Sequence, residues 1–302
     1  MSYIEANKRN KAQISERIAD KVRNRLNIDE SLANGIVFKI AESQDELEQA
    51  YRLVHDSYKE AGYTDMHPSG MRIDSFNALP DTSVFIAKKD KQVIMTMTLV
   101  ADSPLGLPID GLYSDEIAPL RARNHRIGQL SAFASLSEYR YANQTLPLFL
   151  IKLMGRYARD YMCLDDLVIT INPKHSLFYE YLLLFKKIGG LKSCQEVKGH
   201  PAYAYLLELK HQYALYKQTY DHQTPNKNIH HFFDVKQHEN VLFPEDKTPL
   251  YVWNNKMFNY FFVDKTDVFE QLDAEYRSYI LQRHASYWRR DEIDIEVQKQ
   301  YA

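Results

Sequence analysis

The chain has 302 residues, 45% of them hydrophobic and 26% charged, with a net charge of −2. This is the make-up of a globular protein with room for one large domain, or one of about 150–200 residues with an extension, and its charge balance carries no nucleic-acid signature. Two cysteines, Cys163 and Cys194, without pairing or metal-ligand spacing, fit a cytoplasmic protein; no apolar run approaches the roughly 20 residues that span a bilayer, and no signal-like apolar core opens the chain.

Residues 4–27 are rich in Lys, Arg, Glu and Ala, with Ile14, Ile18, Val22 and Leu26 on one stripe, which predicts an amphipathic helix lying on the outside of a domain. Ile36 to Ile40 alternates as a strand. Ser43-Gln44-Asp45-Glu46 has capping-box form, and the helix it opens runs to about Ala61, ending at Gly62. After a polar loop, residues 65–82, Val84 to Ala87 and Gln92 to Val100 read as the arms of a hairpin turning at Lys89, Asp90 and Lys91. Val93, Met95, Met97 and Leu99 then face one way, Thr96 and Thr98 the other. Asp102 to Pro108 is a breaker-dense loop, and Tyr113 to Leu120 a short amphipathic stretch leading into Arg121, Arg123 and Arg126.

Gly128 to Leu136 is the next strand, presenting Gln129, Ser131 and Phe133 on one face. Leu146 to Met162 is a helix whose stripe of Leu150, Leu153, Met154, Tyr157 and Tyr161 opposes Lys152, Arg156 and Arg159. Leu167 to Ile171 is a β-branched apolar run of the kind covered on both faces. It stops at Asn172-Pro173, and His175 to Ile188 is expected to be a helix capped by Gly189-Gly190. In an α/β domain, ligands collect at the carboxyl end of such a strand, which places Asn172, His175 and Tyr179 at a candidate site. Lys192 to Val197 and Ala202 to Leu209 make a final strand pair. Past Lys210 come a His-rich polar stretch (His222, His230, His231, His238), the apolar Phe258 to Val263, and a helix-like Val268 to Trp288. The expected organisation is an N-terminal helix over residues 1–35, a domain over 36–210 and a mostly helical extension over 211–302. The four histidines lack a tight metal-binding spacing and read as loop residues; no metal is expected.

The order β-α-β-β-β-α-β-α-β-β resembles the GNAT acyltransferase fold, an α/β fold with a mixed sheet and helices on both faces. That resemblance implies that the fourth and fifth strands splay apart around an acyl thioester. One feature of ordinary GNAT acetyltransferases is missing. Their glycine-rich loop, whose amides bind the coenzyme A pyrophosphate, is replaced by residues 135–145, which hold no glycine. A donor carried on the phosphopantetheine of acyl carrier protein needs no such cradle, so acyl-CoA is the less expected donor and no separate cofactor is expected.

Several stretches resemble the N-acyl amino acid synthase family, related to acyl-homoserine lactone synthases. They are Leu79-Pro80-Asp81-Thr82 with Phe85-Ile86-Ala87, the run Thr98 to Asp110, Glu116 with Leu120-Arg121, Arg126-Ile127-Gly128-Gln129, and Asn172 to Tyr179. The resemblance spans roughly residues 36 to 210. It implies an enzyme that passes a long fatty acyl chain from acyl carrier protein to the amino group of an amino acid or similar amine, giving an N-acyl product that associates with membranes. A non-catalytic relative that binds acyl chains or the carrier, and an acyl-homoserine lactone synthase, are the alternatives. Where the family pattern places glutamate, this chain has Gln129, which cannot act as a base.

Forming an amide from a thioester needs a neutral amine, a donor to the developing oxyanion and a proton for the leaving thiolate. His175 is the candidate base, or a histidine bonding local backbone; Glu116 is the next candidate. Tyr179 matches the tyrosine many GNAT enzymes set near the thiolate, or packs. Asn172 bonds the pantetheine arm, caps the following helix, or does both. Arg121 and Arg126 could grip a carboxylate or phosphate; Gln129, Ser131 and Phe133 face the cleft. Met95, Met97, Phe133, Leu150, Met154 and Phe178 are expected to line an acyl tunnel, with a plain core as the competing account. Arg123, Lys152, Arg156 and Arg159 are expected to dock the acidic carrier.

Overall fold

The computed structural model describes residues 3–140, 144–285 and 287–288, with side chains from residue 13 onward. Residues 141–143 of the glycine-free connection and 289–302 of the expected extension lie outside the described residues. Helix α1 (Tyr3–Arg25) precedes β1 (Ile36–Ile40), whose Ile36, Phe38 and Ile40 are buried while Val37 faces out. Helix α2 (Gln44–Glu60) starts where the Ser43 hydroxyl accepts the Glu46 amide at 3.2 Å. The expected second half of that cap differs. The Glu46 carboxylate accepts the Glu42 amide, not that of Ser43, and is held by Lys88 at 2.7 Å, because a carboxylate this buried must be paired.

Strands β2 (Ser83–Lys89) and β3 (Gln92–Ala101) form the expected hairpin, with Asp90 at φ 53 in its turn. A register shift at Ala87/Lys88 breaks the alternation expected along β3: Val93 packs on one side of the sheet, while Met95, Met97 and Leu99 pack on the other. Helix α3 (Asp110–Arg121), β4 (Ile127–Ser135), the single turn α4 (Ser137–Arg140) and α5 (Thr145–Asp160) follow.

After β5 (Asp166–Ile171) the chain departs from the expected helix over 175–188. Pro173–His175 forms a 3-10 turn and Phe178–Leu182 a π turn; Leu184 then adopts φ 59, and β6 (Lys186–Cys194) begins. Gly189 and Gly190 therefore lie inside a strand and cap nothing. Gly189 is required there by close approach, since a Cβ would stand 2.5 Å from the Tyr113 ring. Strand β7 (His200–Glu208) completes the sheet.

The seven strands run in the order β1-β2-β3-β4-β5-β7-β6. Every neighbouring pair is antiparallel except β4–β5. That parallel pairing covers only Ile127 to Leu130 against Asp166 to Ile169. Beyond it β4 follows β3 to Ser135, and β5 follows β7 to Ile171. A bulge with Ala132 at φ 52 bends β4 at the point of separation, as an extra residue in one strand does. The result is the GNAT-like mixed sheet with helices on both faces and a split at its centre.

On one face α5 packs through Leu146, Phe149, Leu150, Leu153 and Tyr157. On the other, α2 packs with an aromatic group from the extension: Trp253, Phe258, Phe261, Phe262, Phe269 and Trp288. The extension contains α6 (Leu209–Tyr220), α7 (Asn255–Asn259) and α8 (Ala274–Ala285), the last shorter than the stretch expected over 268–288. It is not a solvated tail. Of its histidines, His230 is buried against Asp221 at 2.6 Å, and His238 accepts from the Lys152 ammonium at 2.8 Å.

Candidate active site

The split opens a cavity of about 920 Å³ lined from both faces of the sheet. Leu130 and Ile169, the last pair before the strands part, line it together with Met97, Ile151, Ile171 and Phe178. Tyr51, Val54 and Tyr58 of α2, with Thr96, Thr98 and Ser131, line the opposite side. A wall of this apolar character suits an acyl chain.

The turn after β5 delivers the expected polar groups. The Asn172 side chain accepts the Lys174 amide at 3.1 Å, capping the turn that carries His175. His175 sits on the cavity wall with part of its surface open to solvent; the protein packed around the rest of it, with Lys174 beside it, holds its pKa below the usual histidine value. Tyr179 is buried between Phe178 and Phe185, and burial pushes its hydroxyl pKa upward, so the hydroxyl stays protonated. The Thr170 hydroxyl is buried among the cavity-lining atoms without a hydrogen-bond partner. Gln129 lines the cavity too, but its side-chain oxygen accepts the Ile109 amide at 2.7 Å. Met97, Ser131, Phe133 and Phe178 also reach the cavity.

Other expected residues do not. Glu116 lies outside it, paired with Lys192 at 2.9 Å. Arg121 is committed to Asp102 and Asp110 by four hydrogen bonds of 2.6 to 2.9 Å, so it braces the Asp102 to Asp110 loop and has no fork left for a substrate. Arg126 and Arg123 are exposed beyond the cavity. Met95, Leu150 and Met154 belong to the packed core and line no tunnel. Lys152 is 2% exposed and donates to the Phe232 and Lys236 carbonyls at 2.8 and 2.5 Å; the extension covers it, so it cannot meet a carrier protein. Arg159 pairs with Asp160 and Asp234, and Arg156 lies over the Phe243 ring.

The cavity also holds charged groups that the sequence did not single out: Arg72, Asp74 and Glu196. Asp74 opens a short turn, with its Oδ1 accepting the Phe76 and Asn77 amides at 3.0 and 3.2 Å. Its pKa is raised by loss of solvent, against the opposing effect of Arg72. Glu196 is raised by the same cause and by Asp74. The Arg72 guanidinium stacks on Tyr58 at 4.9 Å and reaches the Glu196 carbonyl at 3.5 Å. The one signal in the sequence was the Asp-x-x-Asn cap at Asp74; its turn toward the cavity comes from the loop folding back so that the Arg72 amide donates to the Tyr51 carbonyl at 3.1 Å.

The parted mixed sheet around an apolar cavity is the architecture of GNAT-like N-acyltransferases. The family model described as N-acyl amino acid synthase FeeM matches residues 49–208, more than half of the chain, and the chain belongs to that family. Among solved structures, FeeM, an N-acyl amino acid synthase from uncultured soil microbes, is 28% identical; the match covers 59% of this chain and 93% of that one, with a TM-score of 0.53. BjaI, a CoA-dependent acyl-homoserine lactone synthase, is 18% identical over 61% of this chain and 89% of its own, with a TM-score of 0.47. The acyl-homoserine lactone synthase LasI is 18% identical over 58% and 90%, with a TM-score of 0.45. No curated protein sequence matches the chain. No described helix is long and apolar enough to cross a membrane.

Proposed function

We propose that the enzyme moves a long-chain fatty acyl group from the phosphopantetheine of acyl carrier protein to the amino group of an amino acid. The observation that carries this reading is the cavity between the parted strands: a thioester laid there meets the backbone groups of β4 and β5 that no longer pair with each other. The amine nitrogen attacks the thioester carbon, the carbon–sulfur bond breaks, and an amide and a free thiol leave. His175 takes the ammonium proton; as the tetrahedral adduct collapses, the Tyr179 hydroxyl gives its proton to the departing thiolate and regains one from the nitrogen, which loses its second proton on becoming the amide.

Two features favour a carrier-borne donor over coenzyme A. The connection before α5 has no glycine, and the start of α5 is covered by the chain between α1 and β1: Thr145 is fully buried, and its hydroxyl accepts the Asp29 amide at 3.0 Å. Arg25 of α1 and Lys174, both exposed cations on the cavity wall, are better placed than Lys152 to meet an acidic carrier. The acylated product would partition into a membrane surface. The test is product mass spectrometry after incubation with acyl carrier protein thioesters and mixed amino acids. His175→Ala should lower turnover at least about 100-fold, the usual share of a general base, with the melting temperature nearly unchanged. Full activity in that variant overturns the base assignment, and absence of any N-acyl product with the wild type overturns the reading.

A further inference from the structure

We propose that Phe261 of the extension is a positioning residue for the acyl transfer: by backing the Tyr51 ring it sets the size of the acceptor that the α2 side of the cavity admits. The proposal rests on the acyltransferase reading for what is transferred. It goes beyond that reading by giving a task to a segment outside the matched family region.

The two sides of the cavity differ in character. Met97, Leu130, Ile151, Ile169 and Ile171 belong to the core packed under α5, and an acyl chain, which carries no polar group, suits that side. Ala50, Tyr51, Val54 and Val84 belong to the core packed under α2, where Asn77, Thr96 and Thr98 add polar groups to the wall. With the thioester at the split and its chain on the α5 side, the acceptor is left the α2 side.

No described residue of the extension lines the cavity, yet the extension holds the elements that do. The fully buried Phe261 belongs to the π turn Tyr260–Asp264, and its ring meets the Tyr51 ring edge-on with centroids 5.4 Å apart. The Tyr51 hydroxyl has no hydrogen-bond partner, so packing alone fixes where that ring stands. The neighbouring Tyr260 hydroxyl donates to Glu48 at 2.5 Å, Glu48 pairs with Arg52 at 2.7 Å, and Arg52 donates to the Ser69 carbonyl at 3.0 Å. This chain of contacts fastens α2 and the loop that follows it. On the other flank His284 holds the Ala78 carbonyl and Arg283 holds Asp81.

With α2 and the Asp74 turn both pinned, the depth of this side depends on what stands behind Tyr51. Removing the Phe261 ring leaves a void directly behind a side chain that no hydrogen bond retains, and a ring held by packing swings into such a void. The compartment then deepens and admits a bulkier acceptor.

The experiment measures kcat/KM of the full chain for amino acids of graded bulk, from alanine through leucine to tryptophan, with decanoyl thioesters of acyl carrier protein and of N-acetylcysteamine as donors. Phe261→Ala should raise the tryptophan-to-alanine ratio about 10-fold or more, the discrimination that a methylene-sized change in a pocket carries. Phe261→Leu refills part of the void and should raise the ratio less. Phe232→Leu, at a fully buried position of the extension on the opposite face, should lower the melting temperature and leave the ratio unchanged. In a Tyr51→Leu background Phe261→Ala should add nothing to the ratio, since the ring that it positions is gone. An unchanged ratio in folded Phe261→Leu, an equal change in Phe232→Leu, or full additivity with Tyr51→Leu overturns the positioning role and leaves the transferase. So does a change in the preferred acyl length, read with octanoyl to palmitoyl thioesters, in place of a change in acceptor preference. Absence of acylation of any amine by the wild type overturns the transferase reading, and the proposal with it.

Discussion

The extension is fastened to the catalytic domain by His284, and this fastening should fail in acid. The ring is fully buried, donates from Nε2 to the Ala78 carbonyl at 2.7 Å and accepts from the Tyr251 hydroxyl at 2.9 Å through Nδ1. That tautomer is neutral, and burial pushes the pKa down to about 4. The unfolded chain, titrating near about 6.5, binds the proton more readily, so stability falls as pH drops through the unfolded value and keeps falling until the folded value is reached. Linkage gives a loss of about 2 kcal/mol between roughly pH 7 and pH 5 from this one group. The assay is urea unfolding at both pH values for the wild type and His284→Gln, whose amide can still donate to Ala78 but does not titrate. The variant's acid-induced loss should be smaller than the wild type's by about 2 kcal/mol. The comparison cancels the other histidines, including His238, whose pKa also lies near 4. Equal pH slopes in the two proteins would refute the assignment.

Two shorter predictions concern the cavity and the buried lysine. Met97 is fully buried yet lines the cavity, so Met97→Trp should shift the preferred acyl chain to shorter lengths by several-fold in turnover, at a stability cost of about 1–3 kcal/mol; equal losses on every chain length would place Met97 in the core alone. Lys152→Met should destabilise the fold by about 1–3 kcal/mol by stranding the Phe232 and Lys236 carbonyls. Carrier-protein affinity across ionic strength should not change, and a weakened, salt-sensitive affinity would restore Lys152 to a docking face.

What could be read from the sequence was local. The α2 cap at Ser43, the hairpin turn at Asp90 and the strand ending at Asn172-Pro173 each depend on a few adjacent residues. The failed helix over 175–188 shows the limit. Leu177, Phe178, Tyr181, Leu182 and Phe185 satisfy a helical period, but they serve equally well as a short turn followed by a strand, and the switch occurs at Leu184, a residue with no intrinsic preference for positive φ. The charged residues misled for a related reason. Arg121 and Lys152 look like free cations until Asp102, Asp110 and the carbonyls of Phe232 and Lys236 arrive from elsewhere in the chain. Arg72 and Glu196 meet across 124 positions, and no spacing rule reaches that far.

The glutamine at 129 then takes on a different meaning. Its oxygen fixes the Ile109 amide, and with it the start of α3, where Gly111 lies against the Glu196 carboxylate. In the proposed reaction a carboxylate at 129 is not required, because His175 on the cavity wall supplies the base. Burial of its surroundings lowers the pKa of His175, so its imidazole stays neutral, and able to accept a proton, to lower pH than a free histidine. The Asp74 turn is itself held in place at Ala78 by His284 of the extension. The segment that lies outside the matched family region therefore helps to hold one wall of the cavity, and acid loss of the His284 contact should raise amide exchange across residues 74–78 before it unfolds the sheet; unchanged exchange there down to the unfolding pH would refute this.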